Sequence, residues 1–274
     1  VEVRKLTSYV FSAWITRSPC CNTSFRKTRD EHGQCPLLEV FNLVISSPYS
    51  FDWANQLLTD TTPEGAQARK LVVDAFVERC NRVADTTAWC SCTPLFVSID
   101  SAMVYLDMLF KAVENLCLRS SILAIDFIKS PFFERLARTV RAWVCDSTRN
   151  GWPEDVLQYR FTPYRILCET VLLFRRTLVK HAWRPALNAL TNFMQHGVID
   201  AIAQGLKDET EDTDMNHSGG ILGTTVGLAM SSCLHPSIPG VLNGALTAKH
   251  GPSWMDDAMV AGNFGRWWKF LAMT

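Results

Sequence analysis

Cys20, Cys21, His32 and Cys35 bring three thiols and an imidazole into one short, polar, basic segment, and these are the side chains that hold zinc. A structural zinc takes four ligands, usually as two close pairs, because a short loop can aim two side chains at one tetrahedral centre. His32 and Cys35 form such a half with H-x2-C spacing. Cys20 and Cys21 are adjacent, so their side chains tend to diverge and the other half is poor. The segment therefore reads as a basic loop with incidental thiols, and no metal ligand is assigned. Cys90-Ser91-Cys92 raises the same question without a matching pair nearby. It also lacks the C-x-x-C spacing and βαβ surroundings of a thiol–disulfide site, so these residues read as core and cap at a helix entrance.

The run Asp208-Glu209-Thr210-Glu211-Asp212 offers clustered carboxylates, the ligand type that hard cations require. It resembles the aspartate-rich motif of class I terpenoid synthases, all-helical enzymes whose carboxylates hold magnesium against a diphosphate. That resemblance implies magnesium-dependent turnover resting on Asp208, Glu209 and Asp212. It also implies a second motif of the N-D-x-x-S-x3-E kind, which this sequence lacks. An EF-hand is ruled out, because its central glycine and closing glutamate do not fall in register. Residues 207–218 then read as a solvated acidic linker, the usual state of a block of like charge. No nucleophile elbow, phosphate loop or paired nucleophile and base is present, so no catalytic residue is assigned and catalysis is not expected.

Two further rows carry a possible function. Gly219, Gly223, Gly227 and Ser231 lie on one helix face inside Ser218–Ala248, which contains no Asp, Glu, Lys or Arg. Small-residue rows pack membrane helices, but His235-Pro236 interrupts the apolar stretch before the roughly 20 residues a span needs. Close packing between soluble helices is the reading, with a membrane-associated protein as an alternative. Arg69, Lys70, Arg79 and Arg82 supply the polar face of one helix. Arg135, Arg138 and Arg141, with Arg149 nearby, supply another that could take an acidic peptide or phosphate; a solvated face is the ordinary state of such rows.

The elements that must position these residues are helices. Of 274 residues 47% are hydrophobic and 20% charged, enough to bury a large core. Lys+Arg and Asp+Glu both number 27, which removes the electrostatic argument for nucleic acid or an anionic membrane. Val72, Val73, Phe76, Val77, Cys80 and Val83 repeat with helical period after Thr62-Pro63, which predicts a helix from Pro63 to Ala84. Leu95 to Cys117 carries the longest such stripe. Ser130-Pro131 opens a helix over 132–144, Thr162-Pro163 one over 164–181, and Arg184-Pro185 one over 186–195. Prolines mark helix starts here because the missing N–H would be unpaired in the first turn anyway. About a dozen helices follow, with no strand signal, in a single all-α domain over 1–274.

Five of the ten cysteines (Cys80, Cys117, Cys145, Cys168 and Cys233) fall inside these helical stripes as small buried hydrophobes. Without a disulfide framework or a visible secretory signal, a reducing intracellular compartment, cytoplasmic or nuclear, is expected. The start at Val1 and the stop just after the apolar run 267–273 lead us to expect a piece of a longer protein.

Ala186 to Leu206 resembles the passage from second to third helix of an armadillo repeat, with Gly197 at the position after the helix end where the chain reverses. Ser231 to Leu246, reading Ser-Ser-Cys-Leu-His-Pro-Ser, is similar to a stretch in the armadillo-like helical region of mushroom-type fungal proteins that carry a MYND zinc finger. That likeness implies a helical platform beside a finger that recruits partner peptides. The finger's own C-x2-C, C-x3-C and H-x3-C pattern is absent from these residues, so no zinc is expected within them. The expectation is an irregular armadillo- or HEAT-like α-solenoid acting as a protein-interaction scaffold, with proteins or peptides as partners, no cofactor and no nucleic acid.

Overall fold

In a computed structural model of the chain, the residues described are 2–16, 35–84, 99–147, 162–178, 183–198 and 201. All their regular structure is helical: α1 (Glu2–Ile15), α2 (Pro36–Ser46), α3 (Pro48–Thr59), α4 (Pro63–Ala84), α5 (Ile99–Arg119), α6 (Ser121–Lys129), α7 (Phe132–Ser147), α8 (Thr162–Leu178) and α9 (Trp183–Phe193). The expected helix over 63–84 matches α4 at both ends. Prolines open α2, α3 and α4 at the first helical position. At α4 the Thr62 hydroxyl accepts the Gly65 N–H at 3.2 Å, so the proline and the cap together dispose of two of the orphan donors at a helix start. Between α5 and α6 no proline intervenes. Ser120, extended at φ −133° and ψ 112°, caps α6 through its side chain and breaks a stripe that sequence spacing alone would carry on.

Helices pack in three successive triads, α1–α3, α4–α6 and α7–α9, and within each triad every helix touches the other two. Each helix also packs on the one three places further along the chain. Polar contacts fix the sense of that packing along α2, α5 and α8. Midway along both helices Asn42 of α2 donates to the Met108 carbonyl of α5 at 3.1 Å, and at their carboxyl ends Arg119 reaches the Ile45 and Ser46 carbonyls at 3.0 and 2.9 Å. The contact from the middle of α2 meets the middle of α5 and the contact from its end meets the end, so α2 and α5 run in the same direction. Asp107–Arg165 and Glu114–Arg176 order α5 and α8 likewise.

An aromatic line threads the core through all three triads. From Phe11 and Trp14 it passes Phe41, Phe76, Phe127, Phe132, Phe133 and Phe174 to Phe193, with successive ring centroids 4.5–5.8 Å apart in tilted or edge-on geometry. Cys80 and Cys117 belong to the same core, as their helical register predicts, and burial pushes the Cys80 thiol up to about 12 and Cys117 higher still.

Arginines of the second triad close the carboxyl ends of the first. Arg79, 1% exposed, stacks 3.7 Å from the Trp14 ring centroid and donates to the Trp14 carbonyl at the end of α1 at 2.8 Å. Arg69 donates to the Leu58 and Asp60 carbonyls at the end of α3, at 2.9 and 2.7 Å, and pairs with Asp126 of α6. Arg119 does the same for α2. A guanidinium there satisfies carbonyls with no partner further along the helix and sits at the negative end of the helix dipole. This corrects the expectation that Arg69 and Arg79 merely line a solvated face. Arg79 lies inside the core, and Lys70, ion-paired to Asp74, keeps the solvated role.

After α9 a wider turn, Met194–Val198, leaves helical geometry at His196 and at Gly197, whose φ is 122°. That is the left-handed region expected for the residue after a helix end, and a Cβ at Gly197 would clash with the Arg141 side chain.

Candidate functional site

Cys35, the one described member of the Cys20, Cys21, His32 and Cys35 set, is the N-cap of α2 and is 4% exposed in the core. Burial raises its thiol pKa, while the α2 backbone N–H of Leu38 and the Arg79 charge pull the other way. The thiol of Cys35 therefore belongs to the core, beside Arg79 of α4. Cys20, Cys21, His32, Cys90, Cys92, the acidic run 207–218, the Gly219–Ser231 row and the 231–246 stretch all lie outside the described residues. Among the described residues, no group of three or more His, Cys, Asp or Glu side chains is placed to hold a metal ion.

The basic row of α7 is divided among separate tasks. Arg138 pairs with Glu134 one turn back at 2.8 Å, and the same carboxylate lies 3.5 Å from His196 Nε2. Arg141 runs its methylenes under Gly197. Arg149 lies outside the described residues. Arg138 and Arg141 are thus each engaged with a neighbour, one on α7 itself and one in the turn after α9.

Two surfaces that spacing alone did not single out remain. One is the seam between α5 and α8. Asp107, 8% exposed, is ion-paired with Lys111 on its own helix at 2.8 Å and with Arg165 of α8 at 2.7 Å. About two helical turns along α5, Glu114 faces Arg176 at 3.5 Å. Glu169 sits between these rungs, and its pKa is raised by burial, with Glu114 and Asp107 adding to the shift and Arg165 opposing it.

The other is the outer side of the first triad. Of the eight large hydrophobic side chains exposed among the described residues, six lie on α1–α3: Val3, Leu6, Tyr9, Val40, Leu43 and Tyr49. Tyr9 is 74% and Tyr49 80% exposed. On α2 the inward residues are Leu38, Phe41, Val44 and Ile45, so Val40 and Leu43 point the opposite way. Beside them, Arg4 of α1 stacks over Trp53 of α3 at 4.7 Å. The signal for this surface was present in the sequence as apolar residues off the inward stripe. Exposed tyrosine and tryptophan are the side chains that dominate binding energy at protein interfaces, because each brings a large apolar area with few rotatable bonds.

No helix among the described residues is long and apolar enough to cross a membrane. Compared with known proteins, the chain matches no family model, no curated protein and no solved structure.

Proposed function

We propose that the protein is an interaction scaffold: an armadillo-like stack of three-helix units whose surface binds other proteins or peptides. The observation that carries this reading is the register of the packing, in which each helix lies on the one three places on and α2, α5 and α8 run in the same direction. A translational repeat of three helices requires that relation, whereas an antiparallel bundle pairs neighbours head to tail. The aromatic line running on through all three triads supports it, because a stack shares one continuous core. In one respect the chain departs from the armadillo likeness: Gly197 follows the third helix of its triad, where the resemblance implies the second. The exposed Tyr9, Tyr49 and Leu43 supply anchors of the kind a partner surface uses.

Two measurements test the reading. Small-angle scattering should give a radius of gyration above the ~19 Å of a compact domain of this length. A peptide selected from a displayed library against the full chain should lose binding at least about tenfold in Tyr9→Ala/Tyr49→Ala, as expected for aromatic anchors. A compact particle would refute the stack, and selected peptides indifferent to both tyrosines would refute the surface.

A further inference from the structure

Helix α5 is held differently on its two sides. Towards α2 the polar contacts end on backbone carbonyls: Asn42 to Met108, and Arg119 to Ile45 and Ser46. Towards α8 they are ion pairs, Arg165–Asp107 and Arg176–Glu114, and their arginine side chains are 49% and 55% exposed. The two kinds of contact respond differently to salt. A hydrogen bond to a carbonyl is short-ranged and its acceptor carries no net charge. An ion pair with one partner in water loses attraction as the screening length falls from about 10 Å at 0.1 M to about 3 Å at 1 M. The seam also gathers three carboxylates, Asp107, Glu114 and Glu169, that depend on Lys111, Arg165 and Arg176 for compensation.

The third triad meets the second along another line, α4 on α7, and both helices bring core residues to it: Phe76, Cys80 and Val83 of α4, and Leu136, Val140 and Val144 of α7. The Thr139 hydroxyl of α7 donates to the Cys80 carbonyl of α4 there. Apolar packing is not weakened by sodium chloride. Salt therefore acts on one edge of the joint between these triads and leaves the other closed.

We propose that the α5–α8 seam is an ionic-strength-sensitive joint: salt loosens α8 from α5 while α4–α7 stays packed, and the first triad stays fixed to the second. The inference rests on these contacts and not on the scaffold reading. If that reading holds as well, the joint would change the curvature of the stack with the ionic environment.

Hydrogen exchange on the full chain at 0.1 and 1 M NaCl, read by peptide and corrected with an unstructured reference peptide, tests the proposal. Amides of 162–178 should exchange about two- to fivefold faster at high salt, the effect of losing one exposed ion pair or two. Those of 36–46 should not change. Arg165→Gln/Arg176→Gln should exchange fast in 162–178 at both salt concentrations. Arg176→Gln alone, at the more exposed of the two arginines, should show the same change in part and serves if the double variant does not fold. No salt effect in 162–178, an equal effect in 36–46, or a full salt response surviving in the variants would each overturn it.

Discussion

Replacing Arg79 separates a buried structural cation from a solvated one more sharply than any other change. The guanidinium is 1% exposed, lies over Trp14, and donates to the Trp14 carbonyl at 2.8 Å and to the Ala75 carbonyl at 3.1 Å. Burial lowers its pKa from the usual arginine value, with Tyr105, Cys35 and Glu78 opposing that shift. Arg79→Ala removes a desolvated cation–π contact worth about 2 kcal/mol and charge-assisted hydrogen bonds worth about 1.5–3 kcal/mol. It also leaves the α1 carboxyl end without its donor and opens a cavity, while relieving the cost of burying the charge. These terms net to about 3–5 kcal/mol of destabilisation. Arg79→Met keeps the volume of the side-chain stem and buries no charge, so it should cost less, about 1–2 kcal/mol. Arg79→Lys keeps the charge but loses the planar fork that stacks and donates at once, and should fall between the two. Urea unfolding followed by circular dichroism at 222 nm gives all three values. If the three variants lie within about 0.5 kcal/mol of the parent, as substitutions on a solvated face do, the capping argument is wrong.

Gly197→Ala should destabilise by about 1–3 kcal/mol, because φ of 122° and a Cβ pressed on the Arg141 methylenes combine strain with a clash; a thermal melt reads it, and an unchanged melt would mean that the turn is built otherwise. Phe127→Ala, in the middle of the aromatic line, should cost about 3–5 kcal/mol and accelerate exchange in α4 and α7 together, the helices of its neighbours Phe76 and Phe132. For Glu169, a pKa raised in the fold means that the ionised carboxylate opposes folding at neutral pH, and that this opposition is relieved as pH falls through the raised value towards 4.5. Glu169→Gln should therefore gain stability over the parent at pH 7, and the gain should shrink as pH falls towards 4.5; a gain that grows on acidification would reverse the assignment. Cys80, at about 12, is only about one part in ten thousand thiolate at pH 8, and it is buried, so peptide mapping after alkylation of the native chain should find it unmodified until denaturant is added.

Helix type was legible in the sequence because burial and period coincide. The α4 stripe from Val72 to Val83 gave both the helix and its inward face, and Thr62-Pro63 gave its start to the residue. What periodicity could not give was the destination of side chains that leave one helix for another. Arg79 sits one residue before Cys80 in a helix whose outer face is charged, so its type pointed to water. It is drawn inward by a carbonyl 65 positions earlier in the chain, and helical spacing carries no information on a pair so far apart. Ser120 was missed for a related reason: with no proline to mark the break, Arg119-Ser120-Ser121 between two apolar stripes looks like one polar turn of a longer helix. Tyr9 and Tyr49 were visible as residues but not as a surface, since exposure depends on which neighbours the first triad has.

Arg69, Arg79 and Arg119 together explain why three such arginines sit in the second triad. The carboxyl ends of α1, α2 and α3 each lie within reach of an arginine of the next unit, and each end has carbonyls that its own helix leaves unpaired. Apolar faces alone would let one unit slide or rotate on the next, because burial has little directional preference. A planar donor fork on a specific carbonyl pair, as Arg119 makes with Ile45 and Ser46, allows one register. The caps should therefore affect order more than their energy suggests. Arg119→Lys, at an exposed position over Phe51, should cost little stability yet broaden exchange across α2 and α5, and sharp, parent-like exchange in that variant would mean that the core alone sets the register.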